Sequence, residues 1–82
     1  MYILQEIQTS NNTPAFLPPV VRDTRPDIES AFYLTCGSAC ISAVEKHTVM
    51  VYTEEGFPIP ELTKCFIHEP QEEIEPNLNE QE

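Results

Sequence analysis

The chain has few basic side chains, and this limits the partners it can bind. Its 82 residues include only four Lys or Arg against fourteen Asp or Glu, which gives a formal charge of −10. Proteins that bind DNA, RNA or anionic membranes need clusters of Lys and Arg to neutralise phosphate. We therefore expect neither nucleic acid nor membrane as a direct partner, although an acidic surface that mimics nucleic acid stays compatible with this composition.

The sequence also lacks a long hydrophobic run and an export signal. The uncharged stretch at residues 30–44 is too short to cross about 30 Å of hydrocarbon, and it includes Thr35, Gly37, Ser38 and Ser42. The N-terminal MYILQEIQ has no basic segment and no small-residue cleavage site. Three cysteines, an odd number, favour reduced thiols. These features predict a cytoplasmic protein.

The negative charge is concentrated at the C-terminal end. Residues 69–82 contain six acids and no base, so residues 1–68 carry eight acids and four bases, a charge of −4. We expect one small domain over residues 1–68 and an acidic, flexible tail over 69–82. A domain of this size buries only about 60% of its unfolded surface, so association with a second copy would help to stabilise it.

Strand and helix signals alternate along the first 68 residues in the order ββαββ. The apolar runs at 2–9 and 15–21 flank the turn residues SNNTP, and Pro18 and Pro19 mark the second run as an edge strand or one interrupted by a bulge. Residues 47–70 read as a second hairpin with its turn at Glu54-Glu55-Gly56. This order predicts an α+β fold with a four-stranded antiparallel sheet and one long helix packed on one face.

The helix is predicted from about Pro26 to about Val44. Thr24 followed by Asp27 resembles a capping box, and proline is favoured in a first turn because its missing N–H is not needed there. The residues predicted to face the sheet share one side of the helix; they are Ile28, Ala31, Phe32, Thr35, Ala39 and Ser42/Ala43.

The opposite side of this helix is unusual because it carries no charge. Leu34, Gly37, Ser38 and Ile41 lie there, and no Asp, Glu, Lys or Arg occurs between Glu29 and Glu45. A helix that is apolar or small all round is usually buried all round. We therefore expect a homodimer with these four outward residues in its interface; the alternative is a monomer with an uncharged exposed face.

The Cys and His residues do not form a recognisable catalytic or metal motif. Cys36 and Cys40 share a helix face, but Cys65 and His68 are three residues apart on a strand, which points them to opposite sides. Cys40 with His47 lacks any motif that exposes and activates a nucleophile. The sequence thus predicts no enzyme, no metal and no cofactor.

Two other groups of residues are candidate binding sites. Arg22 and Arg25 precede a helix N-terminus, where they could bind an anion such as a phosphorylated nucleotide; alternatively they pair with Asp23, Asp27 and Glu29. The segment 54–61, EEGFPIPE, offers Glu54, Glu55, Phe57 and Ile59 to a partner protein as a stiff arm, or it folds back onto the core.

MYILQEIQT and the block IESAFYLTCGSACISAVEKHTVMVYTEEGFPI resemble a group of short proteins encoded by phages and prophages of gut Firmicutes. The resemblance covers about two thirds of the chain and implies no catalytic or binding residue. It implies a phage accessory protein that acts in the host bacterial cytoplasm. Our first hypothesis is a homodimer that binds and inhibits a host defence protein. The alternatives are a protein that sequesters a signalling nucleotide through Arg22 and Arg25, and a virion structural or assembly component.

Overall fold

The computed structural model describes residues 1–42 and 44–68, which form one helix and a sheet of five antiparallel strands. The α+β prediction is confirmed, but the count of four strands is wrong. The predicted acidic tail at 69–82 lies outside the described residues. The elements in chain order are β1 (Tyr2–Ser10), β2 (Thr13–Phe16), β3 (Val20–Arg22), α1 (Arg25–Ala39), β4 (Lys46–Thr53) and β5 (Pro58–Ile67).

The fifth strand arises because the predicted second strand is split in two. β2 pairs with the far half of β1 and β3 with its beginning, so both lie along the same side of β1. The break falls at Pro18 and Pro19, which cannot donate ladder hydrogen bonds. Gln5 bridges it, since its side-chain Nε2 donates to the Leu17 carbonyl at 2.8 Å. The prediction of an edge strand is thus confirmed, and the interruption is a break into two strands at the prolines.

The sheet order is β2–β1–β4–β5, with β3 beside β2 on the same edge, so β1 and β4 are the central strands. Asn11 and Asn12 form the two-residue turn between β1 and β2, with φ values of 55° and 62°. Positive φ at both positions is what this tight hairpin requires, and asparagine tolerates it. Gly56, at φ 97°, completes the predicted turn between β4 and β5.

The helix begins as its sequence predicts. Thr24 is the N-cap, and its hydroxyl accepts a hydrogen bond from the Asp27 backbone N–H at 3.3 Å.

Its end differs from the prediction, because α1 stops at Ala39 and not near Val44. Beyond that point Ile41 and Ser42 donate to carbonyls only three residues back, at 3.4 and 3.1 Å. The Ser42 hydroxyl then accepts from the Val44 N–H at 3.3 Å, a local bond that competes with a continued helix. The chain also needs these residues to descend to the sheet before β4 begins at Lys46.

The core lies between α1 and one face of the sheet. From the helix it receives Ile28, Phe32 and Ala39, so the predicted inward face is correct at its centre, while Ala31 and Thr35 are half-buried. Ala43 lies outside the described residues. The buried apolar residues of the sheet are Leu4, Val49, Val51, Ile59 and Leu62. One helix covers only one side of the sheet, so no helix among the described residues covers the other side.

Candidate functional site

The outer helix surface is the first candidate site, and we define it as Tyr33, Leu34, Gly37, Ser38 and Ile41. The structure brings all four residues of the predicted dimer interface together here. Leu34 is 76% exposed and Ile41 82% exposed. At Gly37 an added Cβ would meet no heavy atom within 4 Å. The surface is therefore an exposed apolar ridge with small residues between its two largest aliphatic side chains.

A second apolar surface lies on the side of the sheet away from the helix, and we call it the open sheet face. The register aligns its side chains in rows, for example Phe16–Ile7–Thr48–Cys65, and Thr48 Oγ1 donates to Cys65 Sγ at 3.6 Å. The fifteen residues that the register places there are Ile3, Gln5, Ile7, Thr9, Pro14, Phe16, Val21, Lys46, Thr48, Met50, Tyr52, Pro58, Thr63, Cys65 and Ile67.

None of the fifteen residues that the register places on the open sheet face is acidic, although acids outnumber bases in the chain. Glu61 is exposed between the core residues Ile59 and Leu62 of β5, in the stretch where the register shifts. Lys46 is the one charged residue among the fifteen, and Phe16 and Ile67 are 67% and 66% exposed. This surface was not recognised from the sequence. A signal was present in β4, where Met50 and Tyr52 alternate with Val49 and Val51, so that both sides of the strand are apolar.

The two arginines proposed to bind an anion have other partners. Arg25 Nε donates to Glu29 Oε2 at 2.8 Å, which is the alternative pairing considered for it, and Arg22 Nη1 donates to the Val21 carbonyl at 2.8 Å. The helix N-terminus also offers few free donors, since Pro26 has no N–H and the Asp27 N–H is bonded to Thr24. The alternative pairing is thus present for Arg25, and anion binding by the two arginines stays a prediction.

The 54–61 segment is partly an exposed arm and partly folded back onto the core, which are the two interpretations considered for it. Phe57 is 67% exposed and Glu54 and Glu55 are exposed in the turn, whereas Ile59 is a core residue at 9% exposure. The Phe57 N–H donates to Thr53 Oγ1 at 3.2 Å, which holds the turn against β4. Within 54–61 Ile59 is the one buried residue, and the other seven stay accessible to a partner.

Glu6 and His47 form a buried polar pair that sequence reasoning missed. His47 is 2% exposed, and its Nε2 hydrogen-bonds to Glu6 Oε2 beneath the helix. From the sequence, His47 was considered only as a base for Cys40 and was not placed beside Glu6. The 41-residue separation of the pair explains this, because only the β1–β4 register brings them together.

The three cysteines are free thiols in separate environments. Cys36 lies against the core, and burial raises the pKa of its thiol, an effect that nearby Lys64 partly offsets. Cys40 and Cys65 are exposed, the first beyond the helix end and the second on the open sheet face. In the described part of the chain, no group of three or more His, Cys, Asp or Glu is placed to hold a metal ion.

Comparison with family models, with curated proteins and with solved structures finds no match to this chain. Among residues 1–42 and 44–68, no helix is long and apolar enough to cross a membrane. The functional argument therefore depends on the surfaces described above.

Proposed function

We propose that this chain is a non-enzymatic binding protein that works as a homodimer and inhibits a protein of a bacterial host. The observation that carries the proposal is the outer helix surface, where Leu34 and Ile41 are 76% and 82% exposed. Large aliphatic side chains exposed together in this way mark sites that other proteins cover.

The spacing of this surface fits a groove in a target protein. Leu34 and Ile41 are seven residues apart, with Gly37 and Ser38 at the intermediate helical positions. Anchors at i, i+3, i+4 and i+7 are characteristic of a helix that lies in an apolar groove, and small residues between anchors let the groove wall approach the backbone. Leu34 and Ile41 would each occupy a pocket.

The size of the outer helix surface favours a target groove over a second copy. Residues 34–41, the last turn of α1 and the two residues that follow it, span roughly 12 Å at the helical rise, and a helix is roughly 10 Å wide, so the surface projects roughly 120 Å² per molecule. A stable interface between two flat surfaces buries about 1,000 Å² or more in total. The sequence-based prediction assigned this surface to a second copy, and we now assign it to the target.

The charge of the chain indicates what surrounds the groove. Glu29 precedes the uncharged helix stretch and Glu45 follows it, and the described residues carry four more acids than bases. A groove with a basic rim would attract this surface and increase the association rate at low salt. The exposed Glu54, Glu55 and Phe57 would contribute a further contact near the start of the helix.

The resemblance to short phage proteins supports a defence protein of the bacterial host as the target. The test is affinity capture of identified proteins from a Firmicutes lysate with the tagged full chain. The captured protein is then purified and its activity measured with and without the chain. We expect inhibition by the wild-type chain, and weaker binding at high salt.

The matched control for this experiment uses two double variants that change the charge equally. Leu34→Glu with Ile41→Glu should abolish capture, because charges would enter apolar pockets. Phe16→Glu with Ile67→Glu alters exposed residues on the other side of the molecule and should leave the target contact intact. Equal capture by the helix variant, or full activity of the captured protein in the complex, would refute the proposal.

A further inference from the structure

We propose that a second copy of this chain packs on the open sheet face, so that two sheets stack around a twofold axis. The inference rests on the homodimer of the proposed function and adds the surface through which it forms. It also separates the two roles, because the outer helix surface is then free for the target.

The first observation is that the central strand β4 is apolar on both sides. Val49 and Val51 point to the helix and are fully buried, while Met50 and Tyr52 point to the open sheet face. Strands with one solvated face alternate apolar with polar residues, whereas strands covered on both faces are apolar throughout. Residues 49–52 of β4 therefore have the pattern of a strand that is covered on both faces, whereas Lys46 and Thr48 before them are polar.

The second observation is the charge distribution. Two copies of a chain with a charge of −10 repel each other unless they meet where acids are absent. The open sheet face provides such a place, since none of its fifteen residues is acidic. Contact through this face keeps Glu29, Glu54 and Glu55 of the two copies outside the interface.

The third observation is the available area. Four strand positions about 4.8 Å apart and about eight residues long at about 3.3 Å each project roughly 500 Å² per copy. Two copies would bury roughly 1,000 Å², the size at which specific interfaces begin. Two stacked sheets pack about 10 Å apart, a distance that side chains such as Ile7, Met50 and Tyr52 can fill.

The test is sedimentation of the purified full chain across the micromolar range. We expect twice the 9.3 kDa chain mass for the wild type and for Leu34→Glu with Ile41→Glu. Phe16→Glu with Ile67→Glu should give the single-chain mass, because it places like charges opposite each other in the interface. Both variants change exposed residues, so their circular dichroism spectra should match that of the wild type.

Alkylation of the wild-type chain gives a second measurement that needs no variant. Cys65 lies on the open sheet face and Cys40 beyond the helix end, and both are exposed in a single copy. With rising protein concentration the labelling rate of Cys65 should fall severalfold while that of Cys40 stays constant.

Three outcomes would overturn the inference. The first is a 9.3 kDa particle at all concentrations, with Cys65 reactive throughout. The second is a dimer that only the helix variant dissociates, which would place the second copy on the outer helix surface. The third is a single-chain particle in which Cys65 reacts slowly at every concentration. In that case a part of the same chain, and not a second copy, would cover the open sheet face. None of these results depends on whether a host target is captured, so the two proposals can fail separately.

Discussion

His47 Nε2 and Glu6 Oε2 share a hydrogen bond, and this bond connects the two central strands beneath the helix. His47 is almost completely buried and Glu6 is mostly buried. A buried polar group needs a partner, because it has lost its hydrogen bonds to water. The two side chains are therefore expected to depend on each other for stability.

Replacing Glu6 should destabilise the fold. Glu6→Ala leaves His47 Nε2 buried without its acceptor, which should lower the free energy of unfolding by about 1–3 kcal/mol. Glu6→Gln keeps an acceptor oxygen and should cost less. Urea denaturation measures both, with Glu55→Ala in the exposed turn as the control expected to stay within about 0.5 kcal/mol of wild type. A Glu6→Ala loss no larger than that of the control would contradict the role assigned to the pair.

Neighbouring aromatic residues on the helix should differ sharply in importance. Phe32 is fully buried, so Phe32→Ala should cost about 3–5 kcal/mol, most of the stability of a small domain. Tyr33 is 62% exposed, and Tyr33→Ala should change stability by about 0.5 kcal/mol or less in the single chain. Thermal unfolding followed by circular dichroism compares them. Similar losses in the two variants would show that the helix face is assigned wrongly.

The two glycines should respond to alanine with opposite signs. An added Cβ meets nothing within 4 Å at either position, so the backbone decides the outcome. Gly56 has φ 97°, and Gly56→Ala should cost about 1 kcal/mol or more. Gly37 lies inside α1, where alanine is favoured by about 1 kcal/mol, so Gly37→Ala should stabilise the chain. Chemical denaturation measures the change in the free energy of unfolding for each variant. If both changes had the same sign, one of the two backbone assignments would be wrong.

Cys36 should react more slowly with an alkylating reagent than exposed Cys40. Burial raises the pKa of the Cys36 thiol above its ordinary value of 9.0, and the thiolate is the reactive form. The pKa of this thiol is higher in the folded chain than in the unfolded chain. Its contribution to stability is therefore fully present below pH 9, where the thiol is neutral in both states, and is lost as the pH rises through the folded-state pKa. Lys64→Ala should slow Cys36 further, because Lys64 lowers that pKa. Peptide mass spectrometry gives the rates; in urea the two cysteines should react alike.

Features fixed by short segments of sequence were predictable. Thr24 with Asp27 marked the start of the helix, and Pro18 with Pro19 marked the interrupted edge strand. Each of these depends on backbone restrictions within a few residues, so it requires no knowledge of the rest of the chain.

Features that depend on distant pairing were not predictable to the same extent. The burial of His47 requires the register of β1 and β4, and the open sheet face collects side chains from all five strands. The helix end was missed for a related reason. An uncharged stretch favours continued helix up to Val44, but the start of β4 at Lys46 sets where the chain must leave it.

The split edge strand also limits how the molecules can aggregate. Pro14, Pro18 and Pro19 lie along the β2–β3 margin, and each removes an N–H group that an incoming strand would need. Growth of a fibril by adding strands at that margin is therefore blocked. The proposed stacking through the open sheet face, in contrast, would end once two molecules have met, and it would need no strand to be added at this margin.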